Sequence, residues 1–303
     1  MANNLYKGYF MALGAVLIWS GFILVSRQGG LSPLTAYDVI AIRYITCATL
    51  LLPVWYFFFP FKLLKPKLIA VSLVGGLVYA LFAFNGFKTT PASHAAVMMP
   101  GLMPLFITFL AVYLNREKQG AAKWLGIALI STGIGALLWH EWQSAQGVLE
   151  GHLLIVSAAF CWALYSVLIQ RWKISPWEAT VSLAVITCAL YLPVYLIGLP
   201  ANLSAATWED IALQAFYQGF MATIVQMMLY VYAVRSIGAP AMGSMMAMVP
   251  VIAGIAAIPL FDEPFTATLM GALVLVSAGL WIANHYNVKA ARASREAAVS
   301  QST

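Results

Sequence analysis

The chain has 303 residues, of which 62% are hydrophobic and only 9% charged, with a mean hydropathy of +0.87 and a net charge of +6. A water-soluble protein of this size needs far more polar side chains to cover its surface, so the composition excludes a soluble globular domain and places the chain in a bilayer. The positive charge sits in short connections, where it acts as a topology signal and an attraction to anionic lipid, not as a nucleic-acid footprint.

Ten apolar runs follow one another, roughly 8–26, 34–59, 67–87, 91–114, 121–139, 151–170, 176–199, 209–234, 239–260 and 265–286. At about 1.5 Å per residue each can cross a hydrocarbon core of about 30 Å as a helix. Lys7 precedes the first run as it would in a signal peptide. No small-residue cleavage site leads into a polar mature domain, however, so this run is read as a retained span. The connections are too short to hold a soluble domain. The longest polar pieces are 140–150, between the fifth and sixth runs, and a basic tail from 287, expected to be mobile. Cys47, Cys161 and Cys188 all lie inside apolar runs and read as small buried hydrophobes, with no disulfide, metal or cofactor role.

The runs repeat. Ile45-Thr46-Cys47-Ala48 with Leu52-Pro53-Val54 recurs as Ile186-Thr187-Cys188-Ala189 with Leu192-Pro193-Val194. Gly8 and Trp19 correspond to Gly151 and Trp162, and Ser131 and Gly133 to Ser277 and Gly279. Met98-Met99 with Pro104 and Glu117 is echoed by Met245-Met246 with Pro250 and Glu263, each Pro thirteen residues before its Glu. The offsets of about 140 to 146 residues mark a duplicated half, not a short solenoid period. The expected organisation is one five-helix repeat over 1–145, a second over 146–288, and a basic cytoplasmic tail over 289–303.

Lys and Arg set the orientation. Lys7, Lys62, Lys65, Lys67, Arg116, Lys118, Lys123, Arg171, Lys173, Arg235, Lys289, Arg292 and Arg295 fall on one side; Arg27 and Lys88 fall on the other. Thirteen against two puts the first side, with both termini, in the cytoplasm of a bacterial inner membrane. Because each half has an odd number of spans, the second half enters from the opposite face. The fold expected is therefore an all-α integral membrane protein of ten helices in two inverted five-helix repeats. Two inverted halves can exchange conformations around a midplane site, which favours a carrier by association of fold with function.

Four features together resemble the drug/metabolite transporter superfamily in its EamA-type branch. They are the ten spans in two halves, Trp19-Ser20 in the first span, Arg43 within Ala41-Ile42-Arg43-Tyr44, and the two Pro-to-Glu segments. The resemblance covers nearly the whole chain and extends to bacterial aromatic amino-acid exporters. It implies export of small metabolites, amino acids among them.

Candidate substrate contacts come from the polar and aromatic residues inside the runs. Trp19 and Trp162 each lie about 16 Å into their helices, too deep for interfacial anchors, and Tyr165 and Ser166 share the Trp162 face. Packed or lipid-facing rings are the alternative. His94, Met98, Met99 and Gly101 fall at helical spacing on the fourth run, where Met supplies an adaptable wall, and Met245, Met246 and Met248 with Ser244 do the same on the ninth. Tyr79 and Asn85 are the candidates in the third run. The eighth run carries Gln214, Tyr217, Gln218 and Met221 on one face and Thr223, Gln226 and Tyr230 nearly opposite. A helix polar on two faces is expected to avoid lipid, lining the cavity with one face and bonding a neighbour with the other.

Arg43 lies nine residues into the second run, where a charge costs about 3 kcal/mol on insertion scales. Bonding to carbonyls or a neighbouring helix is one reading and contact with a substrate carboxylate the other. Lys88, Asp38 and Glu178 lie near helix ends, from which they can snorkel. Pro104 and Pro250, at equivalent points of the two halves, are expected to bend the fourth and ninth helices beside the cavity, with Glu117 and Glu263 as gating residues that contact loop cations or simply meet solvent. No carboxylate sits at mid-membrane, so protons remain a candidate coupling ion with His94 as the titratable group.

Enzyme readings fail: there is no Walker loop, His-Glu-x-x-His, Asp-rich metal motif or Gly-x-Ser-x-Gly. The expectation is an inner-membrane carrier that exports small amphipathic metabolites, amino acids including aromatic ones first among them, by alternating access. A polar-lined channel or facilitator is the alternative, with a lipid-handling protein behind it.

Overall fold

A computed structural model describes residues 2–144 and 149–300, with the side chains of 285–300 left undescribed. The boundary expected at 145/146 and the charged side chains of the 289–303 tail thus lie outside the described residues. All ten runs are helices: α1 Ala2–Leu31, α2 Ala36–Phe57, α3 Pro66–Thr89, α4 Ala92–Asn115, α5 Ala121–Ser144, α6 Leu149–Trp172, α7 Pro176–Gly198, α8 Trp208–Ile237, α9 in two pieces Ala239–Met246 and Met248–Phe261, and α10 Ala267–Ser300. Each is long and apolar enough to cross a membrane. Odd helices run from the face that carries the termini, here the near face, to the opposite, far face.

Equivalent helices start and stop on equivalent chemistry. Thr35 and Asp38 form a capping box on α2, and Ser175 and Glu178 form its counterpart on α7, each satisfying otherwise orphaned backbone donors. Arg116 and Asp262 end α4 and α9 in the left-handed conformation, with φ of 55° and 52°. Asp38 does not snorkel. It is fully buried, because beyond its capping box it accepts hydrogen bonds from the Tyr195 hydroxyl and the Asn202 N–H.

The helix pairs mirror one another as a two-fold axis requires. α3 packs on α6 and α8 on α1; α4 packs on α6 and α9 on α1; and α2·α7, α4·α9 and α5·α10 meet across the axis itself. Close approaches repeat in the same way. A Cβ at Gly8 would stand 2.7 Å from Ser236 and Ile237 side-chain atoms, and one at Gly151 would stand 2.3 and 2.5 Å from the hydroxyls of Thr89 and Thr90. Along α5 and α10 the backbones touch, with 2.5 Å from a Cβ at Gly126 to the Gly279 carbonyl and 2.6 Å in the reverse sense. Small residues permit this approach, and lipid gives helices no other strong reason to adhere than such packing.

Two features were not legible beforehand. α3 contains a π-helical segment at Leu73–Val78 and α8 one at Ala215–Val225, in the same place of each repeat. Their glycines explain the duplicated Ile-Thr-Cys-Ala motif: Gly76 lies against Thr187 and Gly219 against Thr46, so each motif Thr presses on the π segment of the opposite half. The i→i+5 bonding also rotates the faces of α8. Thr223 donates to the Gln218 carbonyl five residues back, so the two lie together and not nearly opposite as an unbroken 3.6-residue period would have it.

Candidate substrate site and gates

The centre is built by α1, α2, α3, α6 and α8. Arg43 on α2 is 6% exposed and donates from one terminal nitrogen to the Gln218 side-chain oxygen at 3.2 Å. Its guanidinium lies 5.5 Å from the Phe22 ring centroid, 5.8 Å from Tyr44 and 5.9 Å from Phe84, distances at which ring faces attract a cation. Gln218 in turn donates to Ser26, and the Tyr44 hydroxyl donates to the carbonyl of Gly76 in the α3 π segment. Arg43 Nε is buried without a hydrogen-bond partner, and among the described residues no carboxylate lies within 4 Å of the guanidinium. A buried cation held by neutral partners, the Gln218 amide, the Tyr44 side chain and aromatic faces, is under-compensated, and an anion would be bound strongly there.

Beside it stand three of the anticipated residues. Tyr79 and Trp162 rings are 5.1 Å apart, and Trp162 and Tyr165 are also 5.1 Å apart, a tilted aromatic run that joins α3 to α6. Tyr79 lies within electrostatic reach of Arg43. Ser166 is turned to its own helix, donating to the Trp162 carbonyl at 2.8 Å, and Asn85 likewise donates to the Leu81 carbonyl. Trp19 is half-buried against the same core. Met98 and Met99 are sealed inside it, at 0% and 1% exposure. Phe22 and Phe84 were not singled out in the sequence, since an isolated Phe in an apolar run carries no signal.

The face of α8 bearing Gln214, Tyr217 and Gln218 is a seam. Gln214 donates to the Val25 carbonyl, Tyr217 to the Ile18 carbonyl and Gln218 to Ser26, all on α1. The expectation that α8 avoids lipid fails: only 11% of its most apolar window is buried, and Phe216, Phe220 and Met228 point outward. Gln214, Gln218 and Thr223 are buried on its inner side, whereas Tyr230 is exposed. Ser244 lies on the first piece of α9.

At the far face two candidate latch residues, Glu263 and Arg27, brace one corner. Glu263, at the end of α9, accepts the backbone N–H groups of Ala92 and Ser93 at 2.6 and 2.8 Å, capping the start of α4. Arg27 at the end of α1 donates to the carbonyls of Phe87 and Lys88 at 3.0 and 2.8 Å, capping the end of α3. The α3–α4 corner is thus held from both sides. The partner of Glu263 is a helix terminus, whose orphaned donors and dipole suit a carboxylate better than a loop cation does. Its repeat equivalent, Glu117, is half-buried at the near face beside Gln119. The prolines are not equivalent either. α9 is interrupted at Ala247, three residues before Pro250, whereas α4 runs unbroken through Pro100 and Pro104.

His94 does not face the aromatic site. Its Nδ1 lies 3.0 Å from His152 Nε2 on α6, and Glu141 of α5 stands nearby; neither partner was anticipated from the sequence.

Comparison with known proteins agrees with this architecture. The pattern of the EamA-like transporter family matches residues 6–139 and again 149–284. A Salmonella typhimurium protein named "Probable amino-acid metabolite efflux pump" is 25% identical over 97% of this chain and 99% of its own length. A Bacillus subtilis protein named "Uncharacterized transporter YyaM" is 26% identical over 73% of this chain and 77% of its own. A crystal structure that shares 18% identity superposes with a TM-score of 0.64 over 94% of this chain and 98% of that one, a likeness of fold.

Proposed function

Because the chain belongs to the EamA-like transporter family, matched once in each half, we propose that it exports amphipathic amino acids, aromatic ones included, across a bacterial inner membrane by alternating access. That it is a multi-pass membrane transporter and not an enzyme follows from the family and the ten helices. The substrate reading rests on one observation, the under-compensated Arg43 beside the Tyr79–Trp162–Tyr165 aromatic run. A ligand with a carboxylate and a ring satisfies both: the carboxylate takes the free guanidinium edge, and the ring stacks on Trp162 or Tyr165. Trp19, on the equivalent turn of the other half, completes the wall.

Alternating access then assigns work to the ends. Glu263 on the helix start at Ala92 and Ser93 holds the far face shut, and Glu117 serves the near face, with Pro104 and Pro250 setting how α4 and α9 yield. The Lys and Arg asymmetry supports a cytoplasmic near face, so the far face is periplasmic. The name of the Salmonella relative supports the substrate class.

The test is flux of a labelled amino-acid panel in proteoliposomes, with and without a pH gradient. Saturable export with counterflow supports the carrier. Flux linear in concentration without counterflow means a channel, and a preference for acyl chains means lipid handling. A carboxyl-terminal reporter active only in the periplasm would overturn the orientation.

A further inference from the structure

We propose that His94, Glu141 and His152 form a transition-metal site, suited to Zn²⁺, at the far ends of α4, α5 and α6. One ligand atom from each of the three lies within 4.8 Å of the other two. His94 Nδ1 and His152 Nε2 are 3.0 Å apart, and His94 Nε2 is 3.9 Å from Glu141 Oε1. The group is withdrawn from water: His94 is 8% exposed, His152 0%, and the Glu141 side chain 14%.

Zn²⁺ bonds of about 2.0–2.2 Å in a tetrahedron place ligand atoms roughly 3.3–3.5 Å apart. The 3.0 Å and 3.9 Å separations run to different nitrogens of His94, only one of which can bind an ion, so the three donor atoms, all within 4.8 Å of one another, reach that value by side-chain rotation. Two imidazoles and one carboxylate are the donor set of open zinc sites, which leave a fourth position for water. Mg²⁺ and Ca²⁺ call for oxygen ligands and fit poorly. Among divalent first-row ions, imidazole favours Zn²⁺, Ni²⁺ and Cu²⁺ over Mn²⁺.

Packing alone does not explain these residues. The repeat offsets that relate the two halves carry His94 to Pro240, Glu141 to Asn287 and His152 back to Tyr9, so the duplicated sequence does not repeat the three ligands at those positions. Among the described residues such a cluster occurs once, at the far face. His140, with 48% of its side chain exposed and its Nδ1 3.7 Å from Glu141 Oε1, stands at the water edge, where an ion would enter.

The three ligands come from both halves, two from the first and His152 from the second. They surround the same α3–α4 corner that Glu263 and Arg27 hold. A bound ion would therefore tie the halves together in the far-closed arrangement, and the expected effect is inhibition of transport by Zn²⁺ added on the far side.

The experiment uses the full-length protein with any affinity tag cleaved off, titrated with zinc chloride by calorimetry and followed by thermal unfolding. One Zn²⁺ per chain and a raised Tm are expected. His94→Gln, Glu141→Gln and His152→Asn should each weaken binding at least about tenfold, since ligand loss costs no less than loss of an outer partner, whereas His140→Gln should stay within about threefold. Absence of saturable binding by the wild-type protein overturns the site, as does unchanged binding in the three variants. Should a variant fail to fold, Co²⁺ bound to the wild type decides: strong visible bands of four-coordinate ligation support the site, and the weak bands of six-coordinate Co²⁺ refute it. The binding arms do not depend on the substrate. Failure of the transport reading therefore shows in the flux panel, and failure of the metal reading shows in the titration.

Discussion

Replacing Glu263 by Gln isolates the latch with almost no change of volume. The carboxylate accepts two backbone N–H groups, from Ala92 and Ser93, and is 9% exposed. A glutamine keeps one acceptor and turns an NH₂ toward the other N–H, so one bond becomes donor against donor. A hydrogen bond to a charged group is worth about 1.5–3 kcal/mol, and a carboxylate at a helix N-terminus adds about 0.3–2 kcal/mol. The far-closed state should therefore lose roughly 2–4 kcal/mol, a shift of about 30- to 700-fold toward opening at about 1.4 kcal/mol per tenfold. Thr90 reports it. It is fully buried, its hydroxyl has no hydrogen-bond partner, and a cysteine there sacrifices nothing. With Cys47, Cys161 and Cys188 replaced by alanine, Thr90→Cys should react with a membrane-impermeant maleimide at least about 30-fold faster when Glu263→Gln is added. Unchanged labelling of a folded double variant would refute the latch and leave Glu263 a static cap.

Arg43→Leu should lower export of carboxylate-bearing substrates by about 10- to 100-fold, as loss of charged hydrogen bonds of about 1.5–3 kcal/mol implies, with Arg43→Lys in between because an ammonium cannot bind bidentately. Equal effects on an amine lacking a carboxylate, measured in proteoliposomes, would make Arg43 structural. Trp162→Ala and Trp19→Ala should each raise the KM for aromatic substrates by about fivefold or more, since a ring contact is worth about 0.5–1.5 kcal/mol beyond area; normal transport by both folded variants would show that the pair is packing. Gly126→Val forces a side chain onto the Gly279 carbonyl, 2.5 Å from its Cβ position. Overpacking of about 1–3 kcal/mol should lower Tm in detergent by several degrees, whereas Gly135→Val, with open space around it, should not. Pro104→Ala and Pro250→Ala should shift the near/far balance in opposite senses, read by cysteine accessibility near Glu117 and Glu263; identical shifts would reduce the prolines to packing features.

The ten helices were legible because hydrocarbon imposes one length and one composition on every span, and the inversion followed from counting. Trp162, Tyr165 and Tyr79 were legible because depth and helical spacing survive in sequence. The faces of α8 were not. A π segment rotates everything beyond it out of the 3.6-residue register, and nothing in Ala215–Val225 announces it except a glycine whose repeat partner, Gly76, does the same. Asp38 was read as an acid able to snorkel and Glu263 as one meeting a loop cation or solvent, because their partners, backbone N–H groups and for Asp38 also the Tyr195 hydroxyl, lie far away in sequence. His94 was visible alone; His152 and Glu141 reach it from helices distant in sequence, and only the fold brings them together.

The paired contacts Gly76 with Thr187, Gly219 with Thr46, Gly8 with Ser236 and Ile237, and Gly151 with Thr89 and Thr90 all run between the halves and never within one. Before the halves were joined, each would have been a contact between two separate copies lying in opposite directions in the membrane. The chain has the build of an antiparallel homodimer whose two subunits lie in one polypeptide. The two halves differ visibly in one element: α9 is interrupted at Ala247, whereas α4 runs unbroken through Pro104.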